Sequence, residues 1–473
     1  MDTKDPFVLL RKVITSEKYF IDACILADVS VTCVNKENKK NKTMPFKVMY
    51  ENNNTFWLQN GTWEYFFSHE EHDKIKERVA KFNPQWEAPV ITATENATTE
   101  EAANIADTAK EQGWGKEYED IATISANERV CRIQECKKRL EALIAQKPRQ
   151  EQLITEALVD TTKDAVMNNY ASILNTVNLT GEEAKKQTQE LVDSTRDMVR
   201  ASSQLISADI FNDDLMHTLV SESDGTIIQH MTRVYLKGLA FLSYYNKLVS
   251  SSSIITKLRI SFNAKYHAFY CALLPHIPPE DITLEKVFLG GMRAIPEPVF
   301  IHWATGFLLH DIGKAAAVNY HEGDGKYDPA IVMEHVHIGY NSIMNKTNYP
   351  RDAALITGYH HEYYGDPAGY GYYRLSLDQM KKLNPNLKQD ACIAYDLEPM
   401  MEFQALGFFP AKLLEIVDVF DAITDPKRKY RKALTTEEAV TMINDEFIKK
   451  HKKIDIILFD LFTKFVNDAP MPA

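Results

Sequence analysis

Apolar residues recur every three or four positions along most of the chain after residue 126. The clearest segments are NERVCRIQECKKRLEALIAQ, EEAKKQTQELVDSTRDMVRASSQLI and TIIQHMTRVYLKGLAFLSYYNKL. This spacing predicts amphipathic helices. From His230 onward the helices become more apolar and carry nearly all of the histidines, as expected when ligands project into the core of a helical bundle. The pattern therefore predicts a mainly α fold.

The first 85 residues have a different pattern. Short β-like runs, ILADVSVTCV, PFKVMY and NTFWLQ, alternate with the turn clusters NKENKKNK and ENNN. A polar helix, HEEHDKIKERVAKF, closes the segment. We predict a small α/β N-terminal module over residues 1–85. Its His69 and His72 are interpreted as part of a solvated helix face rather than as ligands.

A segment poor in bulky aliphatic residues separates this module from the helices. It runs through NPQWEAPVITATENATTEEAANIADTAKEQGWG and is net acidic, a composition typical of linkers. We predict a flexible linker over 86–125, a helical connector over 126–220 and a metal-binding helical domain over 221–473. The connector helices are equally compatible with a signalling or dimer-forming role and with packing on their own domain.

Length, charge and cysteine usage narrow the class of protein. A chain of 473 residues is long enough for two or three domains, and its net charge of -12 argues against a nucleic-acid-coating protein. The six cysteines show no CxxC pair or framework spacing, so we expect free thiols in a reducing compartment. Cys131 and Cys136 are possible zinc ligands, but the sequence supplies no further ligands nearby. No apolar run has the length of a signal peptide or a membrane span, so we expect a cytoplasmic protein without a membrane partner.

Candidate metal ligands are concentrated in the apolar helical region. His310 and Asp311 are adjacent in FLLHDIGK, and His335, the pair His360-His361 and Asp418 follow downstream. Imidazole and carboxylate are the ligands that divalent first-row metals prefer, and a carboxylate can bridge two ions. Together these residues predict a metal cluster.

The spacing within each motif sharpens this prediction. Lys314 lies one helical turn past the His-Asp doublet of the predicted helix FIHWATGFLLHDIGK, where its ammonium group suits a phosphate oxygen. His335 and His337 face different ways on a helix, and we select His335 as the ligand. His360 and His361 can both reach an ion because GDPAGYG breaks the helix after them.

Asp418 lies in the apolar helix AKLLEIVDVFDAIT, which carries acids at 415, 418 and 421. Burying a carboxylate without a partner is costly, so these acids either bind a metal or line solvent. The apolar flanks favour metal binding by Asp418.

These motifs together resemble those of the HD-GYP family, a branch of the HD phosphohydrolases. The resemblance rests on HxxRV at His230, HDIGK at His310, HxxxG at His335, HHE at His360, and DVFDAIT from Asp418 followed by RKYRKAL. It extends from about residue 220 to about residue 450. Members of this family are all-α metal-dependent phosphodiesterases that hydrolyse the bacterial second messenger cyclic di-GMP to pGpG or GMP, with regulatory modules at the N-terminus.

The resemblance implies roles for individual residues. His230, His310, Asp311 and Asp418 would hold one divalent metal ion, and Asp311, His335, His360 and His361 would hold the other. Asp311 would bridge the two ions, and Asp311 and Lys314 would be the catalytic residues. Lys314, Arg428 and Arg431 would contact the cyclic dinucleotide. Two such cations lower the pKa of a shared water, so a bridging hydroxide would attack the phosphorus.

The sequence departs from the family pattern at two places, the GYP loop and the position that binds a third metal ion. HHExxDGxGYP appears here as HHEYYGDPAGYGYY, in which Gly365 and Asp366 are transposed and Gly369-Tyr370-Gly371 is the nearest remnant of GYP. Family members with a third metal carry Glu four residues before the first His, where this chain has Thr226. We therefore expect two metal ions, and the imidazole-rich set favours iron or manganese.

Two alternatives to a cyclic di-GMP phosphodiesterase remain open. One is a non-catalytic cyclic-dinucleotide receptor, in which the altered loop blocks turnover and the connector helices transmit binding. The other is an HD phosphohydrolase that acts on another nucleotide. The chain could form a homodimer, or bind a signalling protein, through the helical connector or the GYP-like loop.

Overall fold

The structure is a computed structural model. It describes residues 7–9, 29–35, 41–45, 63–68, 74, 125–146, 151–176, 179–207, 227–251, 253–316, 329–364, 369–373, 386, 388–402, 404–426 and 432–468. The chain divides into two compact units, Met1–Glu101 and Ala102–Ala473.

The first unit contains a four-stranded antiparallel sheet in the order β1-β4-β2-β3. Its strands are β1 (Phe7–Leu9), β2 (Ser30–Asn35), β3 (Asn41–Pro45) and β4 (Trp63–Ser68). β2 begins within the predicted run ILADVSVTCV and extends one residue beyond it. β3 includes the last two residues of NKENKKNK, a segment that was predicted as a turn. Because β3 is an edge strand, its polar side chains Lys42 and Thr43 can remain exposed while its backbone pairs with β2.

The second unit is mainly helical, as predicted. Its helices before His310 and Asp311 are α1 (Ala126–Ala145), α2 (Glu151–Thr176), α3 (Gly181–Ser207), α4 (Ile227–Ser250), α5 (Ser253–Lys265), α6 (His267–Leu273), α7 (Leu284–Val287) and α8 (Glu297–Leu309). A 3-10 helix, Pro279–Asp281, precedes α7.

The remaining helices follow a second 3-10 helix, Ile312–Ala316. They are α9 (Pro329–Lys346), α10 (Arg351–Tyr359), α11 (Leu397–Glu402), α12 (Phe409–Thr424), α13 (Thr436–Met442), the π-helix Ile443–Lys450 and α14 (Ile456–Asp468). Two short parallel strands, β5 (Ile393–Ala394) and β6 (Gly407–Phe408), precede α12. Within the described residues, the helices lack the combination of length and apolar character needed to cross a bilayer.

Local sequence explains where several helices begin. Ser125 caps α1 by accepting a hydrogen bond from the backbone N–H of Glu128, and Thr180 with Glu183 forms a capping box before α3. The predicted helices at 127–146, 182–206 and 226–248 correspond to α1, α3 and α4. Periodicity therefore placed these helices to within a few residues.

The helix predicted over FIHWATGFLLHDIGK is shorter than expected. α8 ends at Leu309, His310 and Asp311 form a turn, and Lys314 lies on the following 3-10 helix. Here the chain passes close to α9, because a Cβ atom at Gly313 would lie 1.9 Å from the carbonyl oxygen of His335. The close approach explains glycine at this position and brings two candidate ligand segments together.

One hydrophobic core joins α1 through α14. It includes Val130 of α1, Tyr170 of α2 and Val199 of α3 together with Phe241 and Trp303. α2 also packs against the 3-10 helix that follows the His-Asp turn. Helices α1 to α3 thus pack on the helical unit itself, one of the two interpretations that the sequence left open, and the boundary at residue 220 stays a prediction.

Candidate metal centre

The structure brings all seven predicted ligands together in two neighbouring buried groups. In each group, one candidate ligand atom per residue lies within 4.8 Å of the others. The first group is His230, His310 and Asp418, and the second is Asp311, His335, His360 and His361. The side chains come from α4, the turn after α8, α9, the turn after α10, and α12.

Asp311 lies between the two groups, with one carboxylate oxygen directed to each. Its Oδ1 is 3.1 Å from Nε2 of His335 and 3.7 Å from Nε2 of His360. Its Oδ2 is 3.5 Å from Nε2 of His230 and 3.6 Å from Nε2 of His310. A carboxylate placed in this way is suited to bridging two cations.

Asp418 contacts a histidine of each group. Its Oδ1 is 3.0 Å from Nε2 of His230, and its Oδ2 is 3.9 Å from Nε2 of His361. Among the three acids of this helix, Asp418 is therefore the one that reaches the cluster directly. Glu415 instead accepts hydrogen bonds from Lys412, and Asp421 lies behind His230.

Hydrogen bonds at Nδ1 orient three of the imidazole rings. Nδ1 of His310 donates to the carbonyl oxygen of Phe307 at 2.9 Å, and Nδ1 of His360 donates to that of Thr357 at 2.8 Å. Nδ1 of His230 lies 2.9 Å from a carboxylate oxygen of Asp421. A proton held at Nδ1 leaves Nε2 free to bind a metal, which is the usual arrangement around metal-bound histidine.

An unsatisfied buried nitrogen supports the fit of the site to a cation. Within the described part of the chain, Nε2 of His310 is buried without a hydrogen-bond partner, although buried polar atoms are normally paired. The nearest acidic oxygen is the one on Asp311 at 3.6 Å. A cation between these atoms would satisfy both, so the donor set fits a metal ion.

Burial sets the protonation states that ligands require. Desolvation lowers the pKa of His310 to about 3 and also lowers the pKa of His335 and of His361. Burial would raise the pKa of Asp311, but the ammonium of Lys314 and the imidazoles of His310, His335 and His230 together hold that pKa well below the usual range. Neutral imidazole and ionised carboxylate are the metal-binding forms, so little proton loss is needed on binding.

The open side of the site is marked by three residues. Lys314, His361 and Asp418 are each 8% exposed, whereas His310 and His360 are fully buried. Lys314 donates a hydrogen bond to Oδ2 of Asp311. Its ammonium group thus lies beside Asp311, and Lys314 is among the most exposed residues of the site.

The remnant of the GYP motif lies against the second ligand group. The ring of Tyr370 is 4.6 Å from that of His361, and its backbone N–H donates to the carbonyl oxygen of His361 at 3.0 Å. His337 faces away from the cluster, with its ring 4.9 Å from that of Tyr372. The choice of His335 over His337 agrees with this placement.

Several predicted residues lie outside the described part of the chain. These are His69, His72, Thr226, Gly365, Asp366, Arg428 and Arg431. Their roles remain those implied by the sequence.

A group of charged residues behind the candidate ligands was not predicted from the sequence. Asp421 accepts hydrogen bonds from Nη2 of Arg233 at 3.0 Å and from Nζ of Lys237 at 2.6 Å, and Arg233 also bonds to Asp425 at 2.6 Å. Arg233 and Lys237 hold the pKa of Asp421 well below its usual range despite burial, which alone would raise it. Arg233 belongs to the HxxRV motif, but its partners lie far away in sequence and the periodicity of the helices did not indicate them.

The possible cysteine site has no support in the described residues. Sγ of Cys136 donates to Asp164 at 2.8 Å, and burial raises the pKa of that thiol to about 12. Neither Cys131 nor Cys136 belongs to a described group of three or more candidate ligands. Cys131, Cys136, Cys271 and Cys392 are free thiols, as expected.

Comparison with known proteins finds similarity among solved structures but not among sequences. The sequence matches no family model and no curated protein. A solved structure that matches is Bd1817, a HDG"Y"P protein from Bdellovibrio bacteriovorus, with 98% of this chain and 99% of that chain covered, 10% sequence identity and a TM-score of 0.39.

Proposed function

We propose that the chain is a two-metal phosphodiesterase of the HD-GYP type that hydrolyses cyclic di-GMP. The observation that carries the proposal is the convergence of all seven predicted ligands from five separate segments on two adjacent buried groups. Iron or manganese fits the imidazole-rich donor set best. The choice of cyclic di-GMP as substrate rests on the resemblance of the sequence motifs to those of the HD-GYP family.

In this proposal, two divalent ions would supply an activated water and neutralise phosphate charge. His230, His310 and Asp418 would hold one ion, and His335, His360 and His361 the other. Asp311 would bind both, because its two oxygens face different groups. The hydrogen bonds at Nδ1 would keep the rings of His230, His310 and His360 in the binding orientation.

Lys314 would stabilise the negative charge that develops on the phosphate. It is well placed for this role because its ammonium lies beside Asp311 at the open side of the site. Arg428 and Arg431 would contact the cyclic dinucleotide, as the resemblance implies. Tyr370, whose ring lies against His361, would form one wall of the approach.

One experiment tests this function against its alternatives. Metal-loaded protein is incubated with cyclic di-GMP and the products are separated by chromatography. We expect pGpG or GMP. Binding of intact cyclic di-GMP without product would indicate the receptor, and the absence of both binding and product would favour an HD phosphohydrolase for another nucleotide, to be sought with a panel of cyclic and linear nucleotides.

A further inference from the structure

A fully buried lysine lies behind the second ligand group. Lys412 of α12 has no exposed surface. Its Nζ donates to the carbonyl oxygen of Glu362 at 3.0 Å and to the two carboxylate oxygens of Glu415 at 2.8 and 2.7 Å. An ammonium group has three N–H donors, so Lys412 has a partner for each of them.

The carbonyl that Lys412 contacts belongs to the residue directly after the histidine pair. α10 ends at Tyr359, and the turn His360-His361-Glu362 leaves the helix at that point. A buried backbone carbonyl outside a helix or strand needs a hydrogen-bond partner elsewhere. Lys412 supplies that partner for Glu362 and so fixes the path of the chain beyond His361.

Lys412 also connects two segments that carry ligands. It lies on the same helix as Asp418, less than two turns before it. The hydrogen bond from Lys412 to Glu362 therefore connects α12 to the histidine turn. Close to this connection, Oδ2 of Asp418 on α12 lies 3.9 Å from Nε2 of His361 in the turn. The spacing between these two side chains depends on that connection.

Neighbouring contacts hold Lys412 itself in place. Its ammonium lies 3.9 Å from the centre of the Tyr364 ring. A Cβ atom at Gly407 would lie 2.9 Å from Cδ of Lys412, so the lysine stem packs closely on β6. Tyr364 is in turn fixed by its backbone N–H, which donates to the carbonyl oxygen of Lys453 at 3.0 Å.

Stability alone gives little reason for this arrangement. A buried ion pair is often no more stabilising than apolar residues of similar volume, because both charges must be desolvated. Lys412 and Glu415 are both fully buried. A requirement for a donor at the carbonyl of Glu362 accounts for the lysine where apolar packing would serve the core equally well.

We propose that Lys412 is a positioning residue, which holds the His360-His361 turn against α12 and thereby sets the affinity of the second ligand group for its metal ion. This inference rests on the metal centre of the proposed function. It concerns the group formed by Asp311, His335, His360 and His361, and it predicts little effect on the group formed by His230, His310 and Asp418.

The test is a titration of the metal-free full chain with Co2+, followed by visible absorption. The main variant is Lys412→Leu with Glu415→Leu, which removes both polar side chains and leaves no unpaired carboxyl group. The matched control is Glu415→Gln, which keeps the hydrogen bond from Lys412 to Glu362. If the leucine pair does not fold, Lys412→Met with Glu415→Gln removes the same hydrogen bond with less change in shape.

Wild type and Glu415→Gln should both bind two equivalents of Co2+ with the same affinities. The folded double variant should keep one equivalent at wild-type affinity and bind the other about ten- to hundredfold more weakly, the range typical for loss of an outer partner of a metal ligand. The absorption bands of the weakened site should shift as its geometry loosens.

The outcomes separate the two proposals. Wild-type protein that binds no Co2+ would overturn the metal centre itself. Two equivalents in the wild type, with unchanged affinities and spectrum in the double variant, would overturn the role of Lys412 and leave the proposed function intact. A lower melting temperature with unchanged affinities would likewise assign Lys412 to stability alone.

Discussion

Nδ1 of His230 lies 2.9 Å from Oδ2 of Asp421, a residue 191 positions away in the sequence. The same carboxylate is held by Arg233 and Lys237. The ring of His230 is thus fixed from behind, and its Nε2 points to Asp418 and Asp311. A carboxylate behind a ligating histidine orients the ring and increases its basicity.

Replacing Asp421 should weaken metal binding at the first group. In Asp421→Asn the ring of His230 loses its carboxylate, so we expect the affinity for one of two metal ions to fall about ten- to hundredfold. The unfolding free energy should also fall by about 3–5 kcal/mol, because Arg233 and Lys237 lose a buried partner. Metal titration and chemical denaturation measure the two effects.

Asp425→Asn is the matched control for this prediction. Asp425 also pairs with Arg233, but the carboxylate at Nδ1 of His230 is that of Asp421. The variant should lose stability and keep both metal affinities. Equal losses of affinity in the two variants would mean that His230 responds to general destabilisation rather than to Asp421.

The clustering of the candidate ligands could be predicted from the sequence because histidine and aspartate are conspicuous in apolar helices, where an unpaired polar group is costly. The end of α8 could be predicted less well. Motif spacing placed His310 and Asp311 on a helix, but the close approach of Gly313 to His335 ends α8 at Leu309.

The supporting contacts could not be predicted for a different reason. Lys412 bonds to the carbonyl of Glu362, fifty positions earlier, and helical periodicity gives no information on which helices pack together. The strand β3 was missed because its backbone pairing with β2 overrides the turn preference of Asn41 and Lys42.

Substitutions at Asp311 and Lys314 should separate metal binding from chemistry. Asp311→Ala removes the carboxylate between the two groups, so we expect loss of bound metal and of turnover. Lys314→Met should keep both metals and lower kcat/KM, because its charge would act on the phosphate rather than hold an ion. Elemental analysis alongside hydrolysis of cyclic di-GMP gives both quantities, and metal loss in Lys314→Met would place this lysine among the residues that support the ligands.

Arg428→Ala should weaken the interaction with the substrate and leave metal binding unchanged. Loss of a charge-assisted contact costs about 1.5–3 kcal/mol, which corresponds to roughly a ten- to hundredfold decrease in kcat/KM with metal content unchanged. Steady-state kinetics with cyclic di-GMP measures this. An unchanged kcat/KM would remove the support that the RKYRK segment gives to a cyclic di-nucleotide and favour another nucleotide substrate.

The first three helices of the second unit should be required for folding, and the N-terminal module should not. A fragment that starts near residue 122 keeps α1 to α3 on the core and should fold and bind metal. A fragment that starts at residue 221 exposes the apolar surfaces that these helices cover and should aggregate. Circular dichroism and gel filtration distinguish the two, and a soluble, metal-binding 221–473 fragment would show that α1 to α3 are a separable connector.

The buried carboxyl of Glu415 should make stability depend on pH. Burial raises its pKa to about 8, against the opposing effect of Lys412. Between the unfolded pKa, about 4.3, and about 8, the folded protein holds the proton more tightly, so this group favours folding at low pH and its contribution falls as pH rises. Glu415→Gln lacks this titration, and the unfolding free energy of the variant minus that of the wild type should increase with pH over this window. A difference that is constant in chemical denaturation across the window would show that Glu415 keeps an ordinary pKa.

The metal content of the full chain tests the central claim most directly. The protein is purified without oxygen, reconstituted with iron or manganese, freed of loose metal and measured by elemental analysis. Seven candidate ligands in two groups, with Asp311 between them, predict about two equivalents per chain. A value near zero after reconstitution, or a reproducible three, would contradict the account.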